Sequence, residues 1–316
     1  MENNTLPVMC ITGSSGMIGT KLFETLTQQG YSTFGIDKKK NAWNYKLNNH
    51  TENLDILKLD ELMNVSAELD IMIHLAANSR VYYSITNPQL ALDNIISTFN
   101  VLEYLRRKDI TKIIFSSSRE VYGNEKLAIT GDTIMDIKKC ENPYAASKIS
   151  SESLIYSYCK TYGIDYVILR LSNVYGPYDI SNRVIPKWIE QTLSNKDLIL
   201  YGKNKKMDFI YLDDVISGMT EVINMFNAIK GNTFNFASGV SVHLKHLGEQ
   251  IIKSLNGNNK IIIKSKRIGE VVNFQVNMSG NESLLEYKPK INLKVGLSKT
   301  IEWYKNYLFC MNKIRK

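Results

Sequence analysis

The stretch Val8-Met9-Cys10-Ile11-Thr12-Gly13-Ser14-Ser15-Gly16-Met17-Ile18-Gly19, followed by Lys21-Leu22-Phe23-Glu24-Thr25-Leu26, reads as strand, glycine turn and helix. Its first four residues form the continuous apolar run of a buried parallel strand, and the residues after Gly19 fit the helical period. Gly13 permits a tight turn, Gly16 lets the backbone approach a pyrophosphate, and Gly19 lets helix and strand pack closely. The amides of the helix N-terminus then face negative charge. A second apolar segment, Tyr31 to Ile36, ends at Asp37. That is near the roughly 20-residue offset at which a carboxylate holds the adenosine ribose hydroxyls of a dinucleotide. The same carboxylate would repel a 2′-phosphate, so NAD is expected over NADP even though Lys38, Lys39 and Lys40 follow.

Outward from this unit the pattern repeats. Apolar runs at Ile71-Met72-Ile73-His74-Leu75, Ile113-Ile114-Phe115 and Tyr166-Val167-Ile168-Leu169 alternate with helical stretches, notably Leu90 to Arg107 and Ser147 to Tyr162. The fold class expected is α/β, a doubly wound parallel sheet with ligands at the carboxyl ends of its strands. A dinucleotide-binding domain is expected over residues 1–174, completed by 208–239, with a smaller substrate lobe from 175–207 and 240–316. The apolar faces of the two long helices exceed what one sheet covers, which points to a homodimer.

Composition sets the outer bounds. The 316 residues are 44% hydrophobic and 22% charged, ordinary for a globular chain, with disorder expected only at the ends. The polar start lacks the basic and apolar regions of a signal peptide, and no run of about 18 apolar residues occurs, so a cytoplasmic protein without membrane segments is expected. Cys10, Cys140, Cys159 and Cys310 are scattered without a CxxC pair, which suggests neither a metal site nor a disulfide framework. The net charge of +8 suits an anionic ligand. No basic helix with interleaved aromatics accompanies it, so nucleic acid is not an expected partner.

The segment Asn142-Pro143-Tyr144-Ala145-Ala146-Ser147-Lys148 carries the chemistry. On a helix, Tyr144 and Lys148 share a face. An ammonium beside a phenol favours phenolate and so prepares a general base for alcohol oxidation. By itself this spacing is common on helix surfaces, and Ser118 by itself reads as a strand-end serine capping backbone groups.

Together these segments resemble the extended short-chain dehydrogenase/reductase family, in its nucleotide-sugar epimerase and dehydratase branch. Thr12 to Gly19 matches TGxxGxxG, His74-Leu75-Ala76-Ala77 matches HLAA, Ser116 to Gly123 matches SSxxxVYG, and Tyr144 to Lys148 matches YxxxK. Arg170 to Pro177 matches RxxNVYGP, and Asp208 to Val215 matches DFIxxDDV. The resemblance covers nearly the whole chain. It implies an NAD enzyme of surface-polysaccharide sugar biosynthesis acting on a nucleotide-diphosphate sugar, with Ser118, Tyr144, Lys148 and Glu120 as the catalytic set. Gly13, Ser15, Gly16, Met17, Ile18, Gly19, Asp37, Asp60, Leu75, Ala76, Ala77, Ser116, Tyr144 and Lys148 are implied as cofactor contacts. Ser79, Arg80, Ser118, Arg119, Asn173, Val184, Lys187 and Arg267 are implied for the substrate. Asp60 equally suits a helix N-cap before Glu61-Leu62-Met63, and His74 suits a packed strand-end residue better than a base. Met207 stands where the family usually has an arginine before the Asp-Phe pair, and a thioether cannot contact phosphate.

Every branch of the family begins by oxidising a sugar carbon, usually C4. Dehydratases then need an acid and a base directly after the catalytic Ser or Thr. Here the triplet is Ser118-Arg119-Glu120, and a guanidinium is no proton donor at neutral pH. The reading that follows is C4 oxidation, with the 4-keto sugar released, as in GDP-heptose C4-dehydrogenases, or re-reduced by a 4-epimerase, the lean being toward release. A 4,6-dehydratase is the alternative, and an NAD-sensing regulator the non-enzymatic one. A sensor has no need of Ser118, Tyr144 and Lys148 together.

Overall fold

A computed structural model describes residues 6–65, 68–124, 133, 135–274, 276, 284–285 and 287–314. In chain order the first half runs β1 (Met9–Thr12), α1 (Met17–Gln28), β2 (Thr33–Ile36), β3 (Thr51–Glu52), α2 (Leu59–Met63), β4 (Ile71–His74), α3 (Val81–Thr86), α4 (Gln89–Arg107), β5 (Lys112–Ser118), α5 (Pro143–Tyr162) and β6 (Asp165–Leu171). The second runs β7 (Asn173–Tyr175), α6 (Val184–Leu193), β8 (Leu198–Tyr201), β9 (Lys206–Tyr211), α7 (Leu212–Ile229), β10 (Thr233–Phe236), β11 (Ser241–His243), α8 (Leu244–Ser254), β12 (Ile261–Lys264) and α9 (Leu293–Ile314).

Seven strands form one parallel sheet in the order β10-β6-β5-β4-β1-β2-β3. The direction of winding reverses at β1 and β4, and the crevice at such a switch point is where open α/β sheets bind ligands. Side chains leave a strand alternately up and down, so each run feeds two cores. Met9, Ile11, Ile71, Ile73, Ile114, Val167 and Leu169 pack toward Leu22, Phe23 and Leu26 of α1 and Val215, Met219 and Val222 of α7. Cys10, Met72, Ile113, Phe115 and Ile168 pack on the opposite face with Val101, Leu102 and Leu105 of α4 and Ile155 of α5. A third core, around Trp188, Phe209, Leu247 and Ile301, belongs to the smaller lobe.

The segment 208–239 divides. α7 and β10 complete the seven-stranded sheet, whereas β9 pairs with β7 and β11 in a separate three-stranded sheet. A parallel pair of β8 and β12 forms the third sheet. Two buried carboxylates latch these pieces. Asp208 accepts from the Ser238 amide and hydroxyl at 2.9 Å each, and Asp214 accepts from the amides of Lys290 and Ile291 at 3.0 and 2.9 Å. Asp208 and Asp214 of the Asp208–Val215 motif therefore hold backbone, where sequence reading left them without a role.

The helix carrying Tyr144 begins four residues before the expected Ser147. Asn142 caps it, accepting from the Ala145 amide at 2.9 Å, and Pro143 supplies a preset φ at the first helical position. Tyr144 thus lies in the first turn and Lys148 in the second.

The glycine loop is as tight as its residues suggest. Gly13 has φ +73°, and a Cβ built on it would stand 2.8 Å from the Ala76 amide nitrogen. A Cβ on Gly19 would stand 2.1 Å from the Gly13 carbonyl oxygen, so backbone would have to move. Gly19→Ala is accordingly expected to lower unfolding stability by roughly 1–3 kcal/mol, the usual range for overpacking, in urea denaturation. Gly163→Ala, whose Cβ would meet nothing within 4 Å but which has φ +70°, provides the comparison without overpacking.

Candidate active site

A cleft of about 680 Å³ opens along the carboxyl ends of β1, β2, β4 and β5. Gly13, Ser15, Gly16, Met17, Ile18 and Gly19 line it at one end with Asp37, then Leu75, Ala76, Ala77, Ser79 and Arg80, and at the other end Ser116, Ser118, Arg119, Glu120, Tyr144, Lys148 and Asn173. The structure therefore gathers most of the residues singled out from sequence.

Asp37 follows β2 and anchors the loops around it. Its Oδ2 accepts from the Ser15 amide at 3.0 Å and its Oδ1 from the Lys39 amide at 2.8 Å. Burial pushes its pKa up, and those two amides work the other way. A carboxylate set beside a cradle from which side chains are sterically excluded fits the ribose and pyrophosphate of a dinucleotide. Asp60 is different. It is exposed in the first turn of α2, whose N-cap is Lys58, and it neither caps the helix nor reaches the cleft. Asp55, on the stretch that returns from β3, lines the cleft instead.

Ser118 ends β5. Its Oγ accepts from the Glu120 amide at 3.2 Å and caps the short 3₁₀ turn of Arg119–Tyr122, so the capping role and a place in the cleft coexist. The Tyr144 phenol is buried, which raises its pKa. Hydrogen bonding with Ser118 pulls it down, as do the charges of Arg183 and Arg119, while Glu120 pushes it up. Lys148, expected to prepare the phenolate, lies one helical turn beyond Tyr144 and lines the same cleft. Its Nζ donates to the Ser116 carbonyl at 2.7 Å and lies 4.7 Å from the Phe115 ring centroid. Burial lowers its own pKa to about 8, with Glu152 acting to raise it.

Beneath Lys148 lies a buried ion pair. Arg170 on β6 grips Glu152 on α5 through Nε at 3.1 Å and Nη2 at 2.7 Å, Ser117 Oγ donates to the same carboxylate at 2.5 Å, and Arg170 Nη1 donates to Tyr122 Oη at 2.8 Å. His74 is a packing residue, as its position implied. It is hydrogen-bonded to Thr12 Oγ1 at 2.7 Å and Thr98 Oγ1 at 3.3 Å, and burial lowers its pKa to about 3, which keeps it neutral.

Arg119 and Glu120 form a buried pair. Arg119 Nη2 is 2.7 Å from Glu120 Oε1, and Asn142 Nδ2 donates to Glu120 Oε2 at 3.2 Å. Arg119 Nη2 also comes within 3.6 Å of the Met207 sulfur, so a guanidinium reaches the Met207 region from the loop after β5. Asn173 Nδ2 donates to the Asp208 carbonyl at 2.7 Å at the cleft edge.

Three of the residues expected to bind substrate fall elsewhere. Arg267 lies in a second groove of about 540 Å³ with Tyr201, Lys203, Lys205, Lys264 and Lys266. Its guanidinium is 3.8 Å from the Tyr201 ring centroid and 4.5 Å from that of Tyr82. Val184 and Lys187 line neither cavity. Arg183, the N-cap residue of α6, takes the cleft position, with Nη2 donating to Ser79 Oγ at 2.9 Å. Sequence reading missed Arg183, Asp55, Tyr178 and Trp43. The signal for Arg183 was one residue away, because the extended N-cap faces the cleft and the helix then turns its successors aside.

Trp43, on the loop after Asp37, belongs to an aromatic cluster. Its ring centroid lies 5.7 Å from Tyr178 and 5.6 Å from both Trp303 and Tyr307 of α9, and Trp303 stacks on Tyr307 at 5.2 Å. Tyr178 has φ +68°, a strained value for a bulky side chain. Among the described residues, no helix is long and apolar enough to cross a membrane, and no cluster suits a metal ion. Cys10, Cys140 and Cys159 are free thiols.

Residues 9–237 match the family profile described as NAD dependent epimerase/dehydratase family. A putative UDP-glucose 4-epimerase of Methanocaldococcus jannaschii is 32% identical over 308 residues, covering 95% of this chain and 99% of that one. The dTDP-glucose 4,6-dehydratase of Escherichia coli is 28% identical, over 94% of this chain and 93% of its own. Among solved structures, UDP-glucuronic acid 4-epimerase from Bacillus cereus, in complex with UDP-glucuronic acid and NAD, superimposes with a TM-score of 0.87 at 27% identity, covering 95% of this chain and 99% of that one.

Asp37→Ser is expected to weaken NAD binding by roughly tenfold to a hundredfold, as for a lost hydrogen bond to a charged group, and to narrow the preference over NADP. Dissociation constants for both dinucleotides, measured by calorimetry on both proteins, decide it. An unchanged preference would separate Asp37 from the ribose.

Proposed function

Because the chain belongs to the NAD-dependent epimerase/dehydratase family, we propose that it is a nucleotide-sugar 4-epimerase, acting on a UDP-linked sugar through a 4-keto intermediate. The observation that carries this reading is the engagement of Glu120. Its two carboxylate oxygens are taken by Arg119 and Asn142, and Arg119 occupies the position of an acid. A carboxylate so bound is a poor base for the C5 hydrogen, and no neighbouring acid protonates a C6 hydroxyl, which disfavours elimination of water.

The chain's own residues then divide the work. Tyr144 takes the proton of the C4 hydroxyl, and Ser118, beside it, orients that hydroxyl. When bound, NAD accepts the C4 hydrogen as hydride and can return it. Lys148, tied to the Ser116 carbonyl, holds the cofactor ribose next to Tyr144. The positive charges of Arg183 and Arg119 favour the phenolate during proton removal. Return of the proton from Tyr144 after the ketosugar has turned its other face completes the epimerisation, with no second ketone required. Relatives named as 4-epimerases that match over nearly their whole length support this ending over release of the ketone. The basic groove around Arg267 suits the nucleotide diphosphate. A homodimer through α4 and α5 is supported by Leu92, Phe99 and Tyr162, large apolar or aromatic side chains exposed on those helices.

Tyr144→Phe is expected to lower turnover by roughly 10²–10⁴-fold, the contribution of a positioned acid–base group, while leaving NAD affinity nearly unchanged. Near-normal turnover in that variant would remove Tyr144 from the role. With UDP-sugars as substrates the product should keep the substrate's mass. A product lighter by one water would establish a dehydratase, and one lighter by two hydrogens, with the nicotinamide left reduced, would establish release of the ketone.

A further inference from the structure

The sugar end of the cleft carries more positive charge than a neutral hexose would use. Arg80, Arg119 and Arg183 all line the cavity that contains Ser118 and Tyr144, apart from the lysines of the second groove. Arg119 is the most constrained. It is 5% exposed, one nitrogen is spent on Glu120, and Nη1 is buried without a hydrogen-bond partner among the described residues. A buried donor left unmade is expensive unless an acceptor arrives, and a guanidinium fork matches the two oxygens of a carboxylate. Arg183 donates to Ser79, and Arg80 lies 5.8 Å from the Tyr83 ring centroid. Neither has a carboxylate within ion-pair distance among the described residues.

The same cavity is lined by Asp37, Asp55, Asp93, Glu120 and Asp179, and by Lys38, Lys39 and Lys148. Glu120 is already paired, and Asp179 keeps a buried Oδ2 without a partner. The balance beside the reacting hydroxyl is therefore positive. The cofactor's diphosphate does not account for Arg119, because Arg119 follows β5, two strands across the sheet from the glycine loop after β1.

We propose that the sugar is itself anionic, a nucleotide-linked uronic acid whose carboxylate is received by Arg119, with Arg183 and Arg80 on the same positive rim. This rests on the C4 chemistry proposed above and names its substrate class.

The test compares matched pairs, UDP-glucuronate against UDP-glucose and GDP-mannuronate against GDP-mannose, on the NAD-loaded protein. The measurements are calorimetric affinity and formation of the C4 epimer. Wild-type protein should bind the acid of a pair roughly tenfold to a hundredfold more tightly, the range of one charge-assisted hydrogen-bonded contact. The doubly substituted Arg119→Met, Glu120→Gln protein removes both charges of the buried pair together. It should lose that preference while keeping its affinity for NAD and for the neutral sugar. A preference unchanged in this variant would overturn the assignment to Arg119. If the variant fails to bind NAD, the wild-type ratio decides, and equal affinity for acid and neutral sugar overturns the proposal. Conversion of neutral sugars to their C4 epimers with no gain for the acids would sink the anionic substrate and leave the C4 reading standing. Tight binding of the acid with neither epimer nor 4-ketone formed would do the reverse.

Discussion

The catalytic arrangement depends on the buried ion pair between Glu152 and Arg170. It joins α5 to β6, and through Ser117 it also joins both to β5. Those three elements carry Lys148, the positioning Arg170 and Ser118. Glu152 lies one turn beyond Lys148 on the same helix face, so the pair fixes how far α5 slides along the sheet. Breaking one partner of such a pair would leave an uncompensated buried charge, at a cost of about 3–5 kcal/mol. Its net contribution to stability is smaller than that figure, because desolvation of both groups offsets much of the attraction. What the pair supplies is register, which the Lys148–Ser116 and Asn142–Glu120 hydrogen bonds share in holding.

Around this point the molecule separates two kinds of work. Backbone amides and glycines at the β1 end shape a cradle proposed to receive the dinucleotide, with Asp37 tied directly to the glycine loop. Side chains at the β5 end act by charge. Burial raises the Tyr144 pKa, and arginines counter it. The net effect on the phenol is still upward, which keeps it protonated until substrate and cofactor alter the surroundings. Glu120, in contrast, is held as a partner for Arg119 and Asn142, so a residue in a catalytic position has become part of a wall.

Much of this was legible in the sequence because it is local. The glycine loop, the apolar strands and the Tyr144–Lys148 spacing each follow from backbone geometry within a few residues. Ser118 was legible as a strand-end cap. What could not be read was long-range. Nothing near Met207 announces that Arg119, in the turn after β5 of another sheet, comes within 3.6 Å of its sulfur. Asp55 and Asp60 look alike as acidic residues before a helix, and only the path of the chain from β3 brings one into the cleft and leaves the other in solvent. Val184 and Lys187 were singled out over Arg183 because a helix boundary decides which of them faces the ligand. Burial of the Tyr144 phenol is long-range in the same sense: a residue pair shows an available charge, while desolvation depends on everything packed around it.

The cluster of Trp43, Tyr178, Trp303 and Tyr307 has a consequence for the residence time of the cofactor. It ties the loop that follows Asp37 to the C-terminal helix α9, and two of its rings, Trp43 and Tyr178, also line the cleft. Moving that loop away from a bound dinucleotide would have to part it from α9, so the cluster adds the cost of a local opening to the strength of the cofactor's own contacts. An enzyme that returns its hydride within each cycle has no need to exchange cofactor. For such a chemistry a slow exit is no handicap, and the bound nicotinamide behaves as a resident group instead of a second substrate.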